Sequence, residues 1–301
     1  MGSRKGDSAA DVRGVVATHL PGYRIDSVTL LGEGEDNLAY QVNGELIVRF
    51  SKDPDPASRA TRVSDEARLL GAVADISPLP VPEPAFTDAE QGCLAYFKLG
   101  GLPLIDLPQA GRSAHSPSIA TVLGGLLTAL HSVPLGPMAE LVDTDDQPKA
   151  LWLDEAAQTY GTVVEEVPVA HRRAVEAFLD APPPADRYAL AFSHNDLGIE
   201  HVLVDPLAWT VTGVIDWSDA AIVDPAYDFG LLYRDLGPAA LRLALHSYRT
   251  DSQNLRAIGV RAAFYARCSV LEDLAHGIRT GQDTYLTKSL TALTWLYPAT
   301  A

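Results

Sequence analysis

Apolar and polar positions change their period about a third of the way along this chain. Up to about residue 100 the pattern is strand-like. Residues 23–31 and 38–42 are short β-forming runs, separated by the turn-rich Gly32-Glu33-Gly34-Glu35-Asp36-Asn37. Asn43-Gly44, between Tyr40-Gln41-Val42 and Leu46-Ile47-Val48-Arg49-Phe50, predicts a hairpin with a type I′ turn. Residues 64–74 carry apolar positions at helical spacing, with Glu66 in the first turn. Pro78, Pro80, Pro82 and Pro84 then exclude helix and enforce an extended path. Residues 93–99 form another strand, which runs into Gly100-Gly101-Leu102-Pro103-Leu104, a hinge.

Beyond the hinge the period becomes helical. Residues 117–131 have a continuous apolar face, and 155–160 and 169–179 are further helices, the last stopped by Pro182-Pro183-Pro184. Strands at 188–192, 202–204 and 211–215 flank a polar run, and helices return from Pro225, including 261–278. No internal repeat or low-complexity tract interrupts this order. The expectation is an α+β chain in two parts. A small β-rich part spans 1–99, with the hinge near 96–101, and a larger helical part spans 102–301.

The net charge, 23 − 39 = −16, excludes little about fold but much about partners. Phosphate backbones are bound through Lys and Arg, so nucleic acid is an unlikely partner on charge alone. An acidic surface keeps the chain soluble and would also concentrate a polycationic ligand. Cys93 and Cys268 are too few for a disulfide framework and lie among apolar neighbours, as buried thiols do. No run approaches the ~18 apolar residues needed to span a bilayer, and the first dozen residues are polar. A cytoplasmic monomer without membrane or nucleic-acid partners is expected.

The polar run is His194-Asn195-Asp196-Leu197-Gly198-Ile199-Glu200-His201, followed by Val214-Ile215-Asp216-Trp217. It has the shape of a kinase catalytic loop, H-x-D-x-x-x-x-N, with histidine in place of asparagine, followed by a strand that ends in a carboxylate. Phosphoryl transfer asks for an aligned hydroxyl and neutralised phosphates. Asp196 would accept the hydroxyl proton or orient the hydroxyl. Asp216 and His201 would hold Mg2+ against the phosphates of ATP or GTP. H-x-D alone arises by chance; its spacing to Ile-Asp-Trp and to Asp224-Pro225-Ala226-Tyr227-Asp228 gives the signal its weight.

Together these motifs resemble the aminoglycoside phosphotransferase family, a branch of the protein-kinase-like bilobal fold, over roughly residues 25–280. The resemblance places the base at Asp196 and a metal ligand at Asp216, and makes His194 and Asp228 organisers of the loop. Leu127-Thr128-Ala129-Leu130-His131 and Phe50-Ser51-Lys52 are similar to family segments as well. Lys52, paired to Glu66, is the favoured phosphate cation, and Arg49 is the alternative. Gly32-Glu33-Gly34 resembles a reduced phosphate-covering loop that would use backbone amides, those around Gly34 included. Tyr96, Phe97, Lys98 and Leu99 occupy the purine-binding hinge. Histidine at the second metal position resembles the aminoglycoside 2''- and macrolide 2'-phosphotransferase branches. The helix from Arg261 to Gly277 is similar to one whose acidic residues face drug amino groups, which would give that role to Glu272 and Asp273, and to Asp219 as well. The implied activity is O-phosphorylation of an aminoglycoside, conferring resistance. The alternatives are a macrolide 2'-kinase, a metabolic small-molecule kinase, and a binding protein that holds ligand without transfer.

Overall fold

The computed structural model describes residues 9–33 and 37–299; Gly34 therefore lies outside the described residues. The chain divides between Gly100 and Gly101 into two compact units.

The smaller unit begins with helix α1 (Ala9–His19), and strands β1 (Val28–Glu33), β2 (Asn37–Val42) and β3 (Leu46–Ser51) follow. Helix α2 (Pro56–Ile76), then β4 (Pro84–Asp88) and β5 (Cys93–Phe97), complete it. The strands form one antiparallel sheet in the order β1-β2-β3-β5-β4. Asn43 and Gly44 turn the β2–β3 hairpin with φ of 53° and 76°, the positive pair a type I′ turn needs. Strand alternation splits β3 into two faces. Leu46, Val48 and Phe50 join Val12, Val15 and Val16 of α1 in one core, so Ile47, Arg49 and Ser51 point to the opposite face. α2 starts eight residues before the expected 64. Asp55 caps it by accepting from Ser58 N–H at 2.9 Å, and Pro56 fits the first turn because its missing N–H is not needed there.

The larger unit opens with β6 (Leu102–Pro103) and a 3₁₀ turn at Leu104–Asp106. Helices α3 (Gln109–His131), α4 (Leu135–Met138), α5 (Lys149–Val163) and α6 (Val169–Leu179) come next. Strands β7 (Ala191–Ser193), β8 (Val202–Val204), β9 (Val211–Val214) and β10 (Ala221–Val223) are followed by α7 (Ala226–Ser247), α8 (Ser252–Thr280) and α9 (Asp283–Leu296). The strands form two small sheets, β6-β8-β9 and β10-β7. α3 and α7 approach closely at Gly124, where a Cβ would stand 2.3 Å from the Ala244 carbonyl oxygen. α3 extends eight residues ahead of Pro117, which sits inside it. Among the described residues, no helix is long and apolar enough to cross a membrane. Both cysteines are buried free thiols; burial pushes Cys93 up to about 12, which makes it inert near neutral pH.

Candidate active site

The segment between β7 and β8 is folded around one fully buried histidine. His194 receives the Asp196 N–H at Nδ1 (3.2 Å) and donates Nε2–H to the Ile215 carbonyl (3.0 Å). Both ring nitrogens are thus satisfied in the neutral form, and burial pushes the group down to about 3. The His194 N–H in turn donates to Asp228 Oδ2 at 3.0 Å. Asp228 lies in the first turn of α7, fully buried, and burial raises it to about 7. His131, at the end of α3, is 3.2 Å from Ser193 Oγ and 3.0 Å from the Tyr248 hydroxyl, and burial lowers it to about 3.

Asn195 takes φ +64°, a left-handed conformation that few residues other than glycine adopt cheaply. Its amide donates to the Asp219 carbonyl at 3.0 Å, tying the loop to the segment after β9. Asp216 is left-handed too, at φ +63°, just past the end of β9. Ser218 Oγ donates to Asp216 Oδ1 at 2.8 Å, a contact that fixes one carboxylate oxygen. The indole of Trp217 is buried and donates to Val214 O, anchoring the turn from below.

His201 stands between the two carboxylates of the motif. Nδ1–H donates to the Asp196 carbonyl at 2.8 Å, with Asp196 Oδ2 at 3.3 Å, while Nε2 faces Asp216 Oδ2 at 3.7 Å. Burial alone would lower the imidazole, but Asp196, Glu200 and Asp216 outweigh it and raise its affinity for a proton. The same field raises its affinity for any cation that replaces that proton. Asp196 is itself raised, first by burial and then by Glu200 and Asp219. His201 Nε2 and Asp216 Oδ2 are thus the donor atoms of the motif that face one another. Among the described residues, no group of three or more His, Cys, Asp or Glu is arranged to hold a metal ion.

The remaining expected residues fall into place unevenly. Within the smaller unit, the 2.6 Å pair to Glu66 is made by Arg49 and not, as the sequence predicts, by Lys52, which pairs at 2.9 Å with Glu33. Arg49 is on the β3 face opposite α1, whereas Lys52 lies beyond the end of the strand. Tyr96 and Phe97 belong to β5, an interior strand, and Lys98 N–H is already donated to the Glu45 carbonyl at 2.6 Å. Leu99 follows outside the strand.

In the larger unit, Asp219 and Glu272 are exposed. Asp273 is committed to Lys288 (2.9 Å) and Arg234 (3.1 Å). Arg261, the first residue of the family-like helix segment, grips Asp224 with two bonds, Nε to Oδ2 at 2.7 Å and Nη2 to Oδ1 at 3.0 Å. The buried Lys149, 3.5 Å from the same carboxylate, carried no sequence signal.

Several solved structures share this fold. The GDP and kanamycin complex of APH(2")-IIIa is 24% identical, with 94% of this chain and 96% of that one covered and a TM-score of 0.67. The streptomycin–ATP ternary complex of APH(2")-IIa is 16% identical, covering 97% and 99%, with a TM-score of 0.65. A macrolide 2'-phosphotransferase from Brachybacterium faecium, as apoenzyme, is 22% identical over 96% and 99%, with a TM-score of 0.59. At these identities the likeness is one of fold, and the expected kinase-like α+β architecture is theirs. A family model described as the phosphotransferase enzyme family matches residues 27–263, which include Asn195, Asp216 and every other member of the His194–Asp216 arrangement. The chain belongs to that family and is a nucleotide-dependent kinase.

Proposed function

We propose that this kinase transfers the γ-phosphate of ATP or GTP to a hydroxyl of an aminoglycoside, with resistance to the drug as the consequence. The observation that carries the reading is the position of His201 between Asp196 (3.3 Å) and Asp216 (3.7 Å) on a loop braced by buried groups. Asp196 takes the hydroxyl proton or aligns the hydroxyl; its raised affinity for protons suits a base working near neutral pH. His201 through Nε2 and Asp216 through Oδ2 would hold Mg2+, which when bound would neutralise phosphate charge. Arg49, oriented by Glu66, is the phosphate cation in this reading, and Lys52 is the alternative. The hinge at 96–99 serves the purine. The charge of −16 favours a cationic acceptor, with Glu272 and Asp219 as exposed carboxylates for its ammonium groups.

A second reading, a macrolide 2'-kinase, is favoured by Asp273. With Nε of Arg234 and Nζ of Lys288 at 3.1 and 2.9 Å from Oδ2, its charge is already paired, which leaves it less to offer the ammonium groups of an aminoglycoside. A nucleotide-consumption assay with kanamycin, gentamicin and erythromycin, each with ATP and with GTP, separates the two. Turnover with erythromycin alone would overturn the aminoglycoside assignment, and turnover with none of the three would point to a metabolic acceptor.

The His201 role has its own test. Replacing it with asparagine, an oxygen-bearing side chain that suits magnesium, should preserve much of the turnover. His201→Leu should lose at least what removal of an outer-shell partner costs, about 10–100-fold. Full turnover by His201→Leu at an unchanged magnesium requirement would show that the imidazole holds no metal.

A further inference from the structure

α9 lies beyond the residues 27–263 matched by the family model, yet its Lys288 reaches the catalytic loop. Nζ stands 3.0 Å from Glu200 Oε2, 2.9 Å from Asp273 Oδ2 and 3.5 Å from Asp235 Oδ1. Arg234 completes the cluster. Its Nε is 2.7 Å from Asp235 Oδ1 and 3.1 Å from Asp273 Oδ2, and its Nη2 is 3.8 Å from Glu200 Oε1. Two cations and three carboxylates are withdrawn from water together.

The loop is held by this cluster at two consecutive residues. Asp235 Oδ2 accepts the Ile199 N–H at 3.1 Å, and Glu200 is held through its carboxylate. His201 comes next. Gly198 makes the grip possible, since a Cβ there would stand 2.6 Å from the Glu200 carboxylate carbon. Any larger residue would push Glu200 away from Lys288. Buried ion clusters of this kind stabilise a fold less than well-packed apolar side chains of the same volume. Stability alone is therefore a weak account of five charged groups gathered behind one short loop.

We propose that Lys288, with Arg234, is a positioning residue for the transfer reaction. Through Glu200 and Asp235 it fixes the backbone at 199–200, and so sets the direction in which His201 presents Nε2 to Asp216. This deepens the proposed function and rests on its reading of His201 and Asp216 as the metal-holding pair.

The test uses the full chain with Lys288→Met, Lys288→Arg, Gly198→Ala and the double variant Lys288→Met/Glu200→Gln. Three quantities are measured: thermal unfolding, Mn2+ affinity by electron paramagnetic resonance with a non-hydrolysable GTP analogue, and kcat and KM with kanamycin. In folded Lys288→Met, Mn2+ affinity and kcat should each fall about tenfold, the scale of a lost outer-shell partner, with KM for kanamycin little changed. A cavity of about 270 Å³ lined by Arg112, Ile199, Asp235 and Lys288 leaves room for the longer side chain, so Lys288→Arg should recover most of both. The double variant should regain thermal stability without regaining Mn2+ affinity. Gly198→Ala, which leaves every charge in place, should weaken Mn2+ binding and serves if Lys288→Met does not fold. Wild-type Mn2+ affinity and kcat in folded Lys288→Met, or joint recovery of stability and Mn2+ affinity in the double variant, would overturn the inference. Failure of the wild type itself to bind Mn2+ with nucleotide would instead remove the metal reading beneath it.

Discussion

Asp196→Asn should bring turnover down by about 10²–10⁴-fold, the usual weight of a positioned base, while leaving nucleotide affinity nearly unchanged. The substitution keeps the shape of the side chain and leaves the Asp196 backbone N–H on His194 Nδ1, so the loop keeps its fold. What disappears is the charge that accepts the hydroxyl proton in the proposed reaction, and with it part of the field that raises His201. Steady-state kinetics with whichever acceptor the wild type phosphorylates, alongside calorimetric nucleotide titration, checks both halves. A drop in kcat with preserved nucleotide binding marks an interaction made in the transition state. If turnover survives within a few-fold, Asp196 is not the base and the hydroxyl must be aligned by another group.

The largest effect on folding should come from Arg261→Ala. Asp224 would keep the Tyr265 hydroxyl at 3.2 Å and the Ala226 N–H at 3.0 Å, but would lose both guanidinium bonds inside a dry core. Leaving a buried charge without its partner costs about 3–5 kcal/mol, a large share of the 5–15 kcal/mol by which domains are stable. A fall in Tm on the order of 10 °C follows for a chain of this size. Arg261→Lys should restore only part of it, because an ammonium cannot make the two parallel bonds of a guanidinium. Scanning calorimetry decides the matter; a Tm within a degree or two of the wild type would mean that Lys149, 3.5 Å away, already carries Asp224. The consequence reaches the loop as well, because Asp224-Pro225 leads directly into α7, where Asp228 holds the His194 N–H.

How much of this was legible in the sequence depended on whether the signal was local. Asn43-Gly44 announced its turn because positive φ is a property of those two residues themselves. The kinase-like run from His194 to Asp216 was legible for the same reason, as residue types and spacing sit within one short segment of the family match. Helix boundaries were less so. α2 and α3 each begin eight residues before the apolar periodicity becomes visible, because a proline and a capping aspartate start the first, and the second continues through Pro117. α1 was not anticipated; its apolar stripe, Val12, Val15 and Val16, is short and makes sense only against the sheet it covers. The pairing of Glu66 with Arg49 depended on which face of β3 meets α2, and strand alternation admitted that answer without requiring it. Lys149, Arg234 and Lys288 gave no warning. Each is a basic residue in an ordinary helix until its distant carboxylates arrive.

Two residues of the candidate site, Asn195 and Asp216, hold left-handed backbone angles. Such conformations in residues other than glycine cost of the order of 1–3 kcal/mol each. A search for hardier forms of the protein would therefore be drawn to both places. At 195 glycine would relax the chain and sacrifice one tether to the Asp219 carbonyl. At 216 the same exchange would delete the carboxylate that Ser218 Oγ holds, so relief of backbone strain and retention of that charge would there favour opposite residues.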